Sequence, residues 1–296
     1  MKETSIILNS RMDQIPIHVY VWWPDAPPTR TIVIAHGLAE HAARYRRFAE
    51  ALTAQGYIVY GIDHRGHGNS VLPGCEPGDL GKAGWQGLCD DLVMLMDQAR
   101  SDHMRLPLVL FGHSMGSFIA QQVCQVRSKK LDAVILSGST RFDLTTADLD
   151  TQDDSEFSLA DFNAAFEPAR TPYDWLSRDL AEVDSYIDDP LCGFDLPASI
   201  ASAFAEGGKA VGDTARIGQI RKDLPVLFVA GEADPLNAEL ALLNSLEAFW
   251  RVAGIQDIST QYYPEGRHEM LNELNRDEVT QNMLTWLDEK INKNTA

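Results

Sequence analysis

Gly112-His113-Ser114-Met115-Gly116 sets a serine between two glycines. The apolar run Leu108-Val109-Leu110-Phe111 precedes it, and Ser117-Phe118-Ile119-Ala120-Gln121-Gln122-Val123 reads as a helix after it. A serine between a buried strand and a helix is held on a sharp, strained turn that lifts its hydroxyl clear of the sheet. Side chains two residues to either side would collide there, so both flanks must be small. The helix N-terminus offers free N–H groups and the positive end of a dipole, both of which favour a developing oxyanion. The glycine-flanked serine alone is a weak signal. Its strand-turn-helix setting separates a nucleophile from a tight turn with an incidental serine.

A serine hydroxyl attacks well only when a histidine takes its proton. On such an elbow the chain order is serine, acid, histidine. Of the eight histidines, His268 alone follows Ser114. It closes the turn Pro264-Glu265-Gly266-Arg267 after a strand-like stretch, Ile258 to Tyr263. The acid must lie between them, after a core strand. Leu227-Phe228-Val229-Ala230-Gly231-Glu232-Ala233-Asp234 fits, with Asp234 preferred and Glu232 the runner-up. A plain helix-capping role is the bland alternative for Asp234. Asp63 also follows a strand but precedes the serine. An oxyanion hole needs two backbone N–H groups: that of Met115, after the nucleophile, and one from His36-Gly37-Leu38-Ala39, where Leu38 is the candidate.

His36, His41, His64 and His67, with Glu40 and Asp63, also offer metal-ligand types. The stretch Asp63-His64-Arg65-Gly66-His67-Gly68-Asn69-Ser70 carries an arginine and two glycines, however, and reads as a hydrogen-bonded turn. Neither a metal nor an organic cofactor is expected.

Several elements must position these groups. Ile15, Ile17, Val19 and Val21 alternate as on one strand face. Short continuous apolar runs follow: 31–35, 57–62, 108–111, 133–136 and 226–230, each leading into a turn. Such runs read as parallel strands buried on both faces. Trp85, Leu88, Leu92, Leu95, Met96 and Ala99 keep the spacing of one buried helix face. Alternating strand and helix imply an α/β fold with a mostly parallel sheet, helices on both faces and right-handed crossovers. The alternation stops over residues 141–222. The expected organisation is a core of 1–140 with 223–296, carrying 141–222 as a mainly helical insertion.

The 296 residues hold 25 basic and 43 acidic side chains, a net charge of −18. Seventeen acids and seven bases fall in the insertion, so −10 of that charge sits there. The acid excess argues against a nucleic-acid partner and against docking on an anionic membrane. No apolar run nears the roughly 20 residues of a bilayer span, so stable membrane insertion is not expected. Ile6-Ile7-Leu8 is too short for a signal peptide. The scattered Cys75, Cys89, Cys124 and Cys192 read as free thiols, and the expected location is cytoplasmic. The oligomeric state is left open.

The ordered set His36-Gly37-Leu38-Ala39-Glu40-His41 with Arg44-Tyr45, then Asp63 to Ser70, then Gly112 to Gly116, resembles the α/β-hydrolase family in its monoacylglycerol lipase and lysophospholipase branch. The stretches Arg170 to Asp179 and Asp189 to Phe194 resemble bacterial members named as lysophospholipases. The resemblance implies an α/β-hydrolase fold, a Ser114–Asp234–His268 triad and oxyanion donors at Leu38 and Met115. It also implies that the Asp63 loop braces the oxyanion loop and that the insertion caps the site. Serine at the elbow sets the chain apart from the dehalogenases and epoxide hydrolases of this fold, which have aspartate there. The expected function is hydrolysis of carboxylic esters, monoacylglycerols or similar acyl esters, through an acyl-enzyme. A lysophospholipase, or a ligand-binding protein with little turnover, is the alternative. Phe157, Phe162, Phe166, Tyr173, Trp175, Tyr186, Phe194 and Phe204 supply the insertion's aromatics. Most are expected to fill its own core, and some to line an acyl pocket. The acidic insertion should disfavour anionic leaving groups.

Overall fold

A computed structural model describes residues 1–147 and 158–292. Eight strands pair within these residues: β1 (Lys2–Asn9), β2 (Pro16–Trp23), β3 (Arg30–Ala35), β4 (Tyr57–Ile62), β5 (Leu108–His113), β6 (Ala133–Ser137), β7 (Val226–Gly231) and β8 (Ile258–Tyr263). They form one sheet in the order β1-β2-β4-β3-β5-β6-β7-β8. β1 and β2 are antiparallel to each other, β2 is antiparallel to β4, and β3 to β8 all run parallel. This is the α/β-hydrolase fold expected from the sequence.

The continuous apolar runs are buried because helices cover both sheet faces. On one face, Val33 and Ala35 of β3 share a core with α2 (Gly84–Asp102), α3 (Met115–Arg127) and α8 (Ala241–Val252). On the other, Ile32 and Ile34 share a core with α1 (Arg46–Ala54) and α9 (Arg276–Asn292). Adjacent residues of one strand thus serve opposite cores, as the two-residue period of a strand requires. Between β6 and β7 the described chain makes only helical pieces, including α4 (Phe142–Thr145), α5 (Leu180–Asp188), α6 (Ser199–Val211) and α7 (Thr214–Ile217). Phe157, one of the aromatics named above, lies outside the described residues.

Register decides where chemistry can gather. Ala35 pairs with Gly112, His113 with Ser137, Ser137 with Val229, and Gly231 with Tyr263. The carboxyl ends of β3, β5, β6, β7 and β8 therefore lie along one edge, where open α/β sheets place their ligands. The loops holding Leu38, Ser114, Asp234 and His268 leave from that edge.

Candidate active site

Ser114 is the single residue between β5 and α3. Its backbone has φ +50° and ψ −122°, a left-handed conformation costing a non-glycine residue about 1–3 kcal/mol. Neighbours hold it there. Its N–H donates to the Ser137 carbonyl at 2.9 Å, and its carbonyl accepts from the N–H of Ser117 (2.8 Å) and of Phe118 (3.1 Å). A Cβ on Gly112 would lie 2.5 Å from the Gly116 carbonyl oxygen, and one on Gly116 only 2.2 Å from that of Ala35. The steric reason for both glycines is thus close backbone approach.

The turns after β7 and β8 bring Asp234 and His268 together. His268 Nδ1 lies 2.9 Å from Asp234 Oδ2, and both side chains are buried. Asp234 also caps the turn that follows, accepting the Leu236 N–H at 3.0 Å and the Asn237 amide at 3.2 Å. It therefore fills the helix-capping role as well as the histidine contact. Glu232, the runner-up, is exposed. Burial opposes protonation of His268, but the Asp234 carboxylate outweighs it and raises its pKa above the ordinary imidazole value. The His113 ring lies 4.8 Å from that of His268, tilted by 50°, and is pushed down to about 4 by burial and by His268. It is neutral where His268 titrates. Ser114 and His268 line one small cavity, and among the described residues their side chains share no hydrogen bond.

The N–H groups of Leu38 and Met115 have no partner among the described residues, and both residues line a cavity with Ser114. That of Met115 is free because it opens α3. The loop carrying Leu38 is braced from below. Asp63 accepts the Ala42 N–H at 2.9 Å, and His36 Nε2 accepts the His64 N–H at 3.0 Å. His36 Nδ1 lies 2.7 Å from the Gly37 carbonyl oxygen. With both ring nitrogens engaged and burial pushing its pKa to about 3, His36 offers no lone pair to a metal. Donor atoms of His41, Asp189 and Cys192 do lie within 4.8 Å of one another. There His41 is already bonded to Asp189 at 2.9 Å. Burial keeps the Cys192 thiol protonated despite the nearby Arg44 cation, a poor setting for a divalent ion.

The cavity over Ser114 measures about 250 Å³, and among the described residues no charged side chain lies on its walls. Phe162, Trp175 and Phe204 of the segment after β6 line it together with Phe118, Phe142 and Leu236, Phe204 packing edge-on against Phe142 at 5.4 Å. The other described aromatics of that segment are used elsewhere. Tyr173 and Tyr186 pack on each other at 5.1 Å, Phe194 covers His67 at 5.4 Å, and Arg267 lies over Phe166 at 4.3 Å.

A family model described as serine aminopeptidase S33 (Hydrolase_4) matches residues 26–275. The chain belongs to this family. A monoacylglycerol lipase of Mycolicibacterium smegmatis is 31% identical to this hydrolase over 275 residues, covering 90% of this chain and 91% of its own. A mouse monoglyceride lipase is 27% identical over 280 residues, covering 91% of this chain and 86% of its own. A thermostable carboxyl esterase from Bacillus coagulans superposes with a TM-score of 0.86 over 98% of this chain and 99% of its own, at 24% identity. The resemblance read from the motifs is thereby borne out at the level of family and fold.

Some residues around the hydrolase's site had no role assigned from sequence. Glu40 accepts the Gly37 N–H at 2.5 Å and the Tyr45 hydroxyl at 2.8 Å. Arg44 joins Glu40 to Glu269, the neighbour of His268. Tyr186 donates its hydroxyl to the Ala39 carbonyl at 2.9 Å, and the Gly193 N–H reaches the same oxygen at 3.0 Å. The Trp175 ring lies 4.9 Å from that of His268. The only sequence signal was the closeness of Glu40, Arg44 and Tyr45 to the oxyanion loop. Their distant partners left none.

Proposed function

We propose that this carboxylic ester hydrolase cleaves neutral acyl esters, monoacylglycerols foremost, through Ser114, His268 and Asp234. The observation that carries this is the buried Asp234–His268 pair beside a serine on a strained elbow that opens into a cavity whose described walls are mostly apolar. Ser114 Oγ attacks the ester carbonyl while His268 Nε2 takes its proton. Asp234, at Nδ1, fixes the tautomer and stabilises the imidazolium. The N–H groups of Leu38 and Met115 receive the oxyanion of the tetrahedral intermediate. His268 returns the proton to the departing alcohol. Water activated by the same imidazole then releases the acid.

The shape of the site supports the substrate class. The walls of the larger cavity are apolar, which suits an acyl chain. The smaller one, about 20 Å³ and lined by Ser114 and His268, has room for about one water. Residues 141–222 act in this reading as a cap. Leu159, Phe162 and Trp175 roof the cavity, while the Trp175 and Leu176 carbonyls accept the N–H groups of His268 (3.4 Å) and Glu269 (2.8 Å). The mycobacterial and mouse relatives carry the same substrate in their names. No helix of the described residues is long and apolar enough to cross a membrane. Four unpaired thiols suit a reducing cytoplasm.

A matched panel of monoacylglycerols, simple esters, lysophospholipids and peptide amides, with Ser114→Ala as the blank, tests this. Neutral esters should turn over best, and Ser114→Ala should lose several orders of magnitude in kcat. A preference for lysophospholipids, or for the amides that the family's description names, would replace the proposed substrate class. Activity retained in Ser114→Ala would remove the mechanism.

A further inference from the structure

Beneath the oxyanion loop lies a buried chain of charge that the mechanism above leaves unused. The Glu269 carboxylate takes both arms of the Arg44 guanidinium, at 2.6 and 2.7 Å, and the Asn272 amide at 2.8 Å. The same Arg44 Nη1 also donates to Glu40 Oε2 at 2.6 Å. The other Glu40 oxygen holds the Gly37 N–H, one residue before Leu38. Glu40, Arg44 and Glu269 are each nine-tenths buried or nearly so. The chain therefore runs unbroken from the oxyanion loop to the residue after His268. It holds two carboxylates and one guanidinium.

We propose that Glu40, Arg44 and Glu269 form a positioning bridge that locks the oxyanion loop to the histidine loop and leaves one net negative charge beside His268. The proposal rests on the Ser114–His268–Asp234 reading. Proton transfer from Ser114 creates an imidazolium in a dry site, and a fixed negative charge nearby favours it there far more than in water. Burial raises the carboxyls of Glu40 and Glu269, but Arg44 together with the hydrogen bonds they accept and the neighbouring His113 more than offsets this, so both stay below their ordinary values and ionised. Among the described residues, the charged and titratable groups acting on His268 include Asp234 at Nδ1, Glu269 and Glu40 from this bridge, and the tilted ring of His113. Arg44 acts on His113 from the same side. Of the described cap residues, Trp175 and Tyr186 line the cavity with His268, and neither is charged. The bridge thus supplies the surplus charge after Asp234.

The test is the pH dependence of kcat/KM. Neutral His268 is the active base, so activity falls as pH drops through its pKa. Glu269→Gln keeps the side-chain length and one acceptor oxygen for Arg44, loses the second arm of the bidentate pair, and removes the surplus charge. Its acid-limb midpoint should move down by about half a unit to one unit. Glu269→Asp keeps the charge on a shorter arm. It should lose kcat through misplacement while holding the wild-type midpoint. Glu40→Gln removes charge from the other end and should move the midpoint in the same direction, so it replaces Glu269→Gln if that variant does not fold. An unmoved midpoint in a folded Gln variant, with only a lower plateau, would overturn the proposal. Wild-type hydrolysis that does not depend on Ser114 would instead overturn the triad reading beneath it.

Discussion

Leu38 enters the proposed chemistry through its backbone N–H, so the two halves of the residue separate cleanly by substitution. Leu38→Ala keeps the donor and trims one wall of the cavity, and kcat should stay within a few-fold. Leu38→Pro removes the donor, and loss of one oxyanion donor costs about 10²–10³ in kcat. Full activity in a Leu38→Pro variant with an unchanged melting temperature would exclude this N–H as the donor. Ser114, Asp234 and His268 were readable in the sequence because each type is chemically specific and each follows an apolar run. Asp234 could be set above Glu232 only as a preference, and the structure separates them by burial. Glu269 was not readable: its partner Arg44 lies 225 positions away in sequence, and a Glu–Arg pair leaves no mark on spacing.

Five strands were legible at the scale of elements as continuous apolar runs, because burial on both faces demands them, while β2 showed as an alternation and β8 as a strand-like stretch. β1 was missed. It lies at the sheet edge, with Lys2, Glu3, Ser5, Ile7 and Asn9 exposed and Thr4, Ile6 and Leu8 half-buried, so its sequence looks like any polar terminus. The segment after β6 was visible only as a break in the alternation, since its short helices are set by tertiary contacts and not by periodicity. Its aromatics divide as composition alone could not show. Phe162, Trp175 and Phe204 reach the cavity, and Trp175 also joins Tyr186, Leu176 and Cys192 in a small core of the segment itself. An acyl chain laid against these rings gains at most about 0.8 kcal/mol per methylene. Across esters from acetate to decanoate, kcat/KM should rise over several carbons by no more than about fourfold per carbon, then level off. A flat profile would mean that the cavity does not hold the acyl chain.

The net charge of −18 takes on a spatial pattern in the whole molecule. Several acids of residues 141–222 are paired with bases of the core: Glu182 with Arg47 and Asp179 with Arg276, both at 2.7 Å. Arg178 returns the contact to Glu273 at 2.9 Å. The two partly exposed pairs to Arg47 and Arg276 are worth about 0–1 kcal/mol each and align the segment on the core, while the Glu273 carboxylate is fully buried beneath Arg178. Among the described residues the cavity wall carries no charge, so any repulsion of anionic substrates by them acts from the rim and not in the acyl pocket. All of these arrangements serve one claim, that Ser114 is the nucleophile. A fluorophosphonate probe, followed by peptide mass spectrometry, tests it most directly. The expected result is stoichiometric labelling at Ser114 with matching loss of ester hydrolysis, and no labelling in Ser114→Ala. Unlabelled Ser114 in a protein that still hydrolyses esters would contradict it.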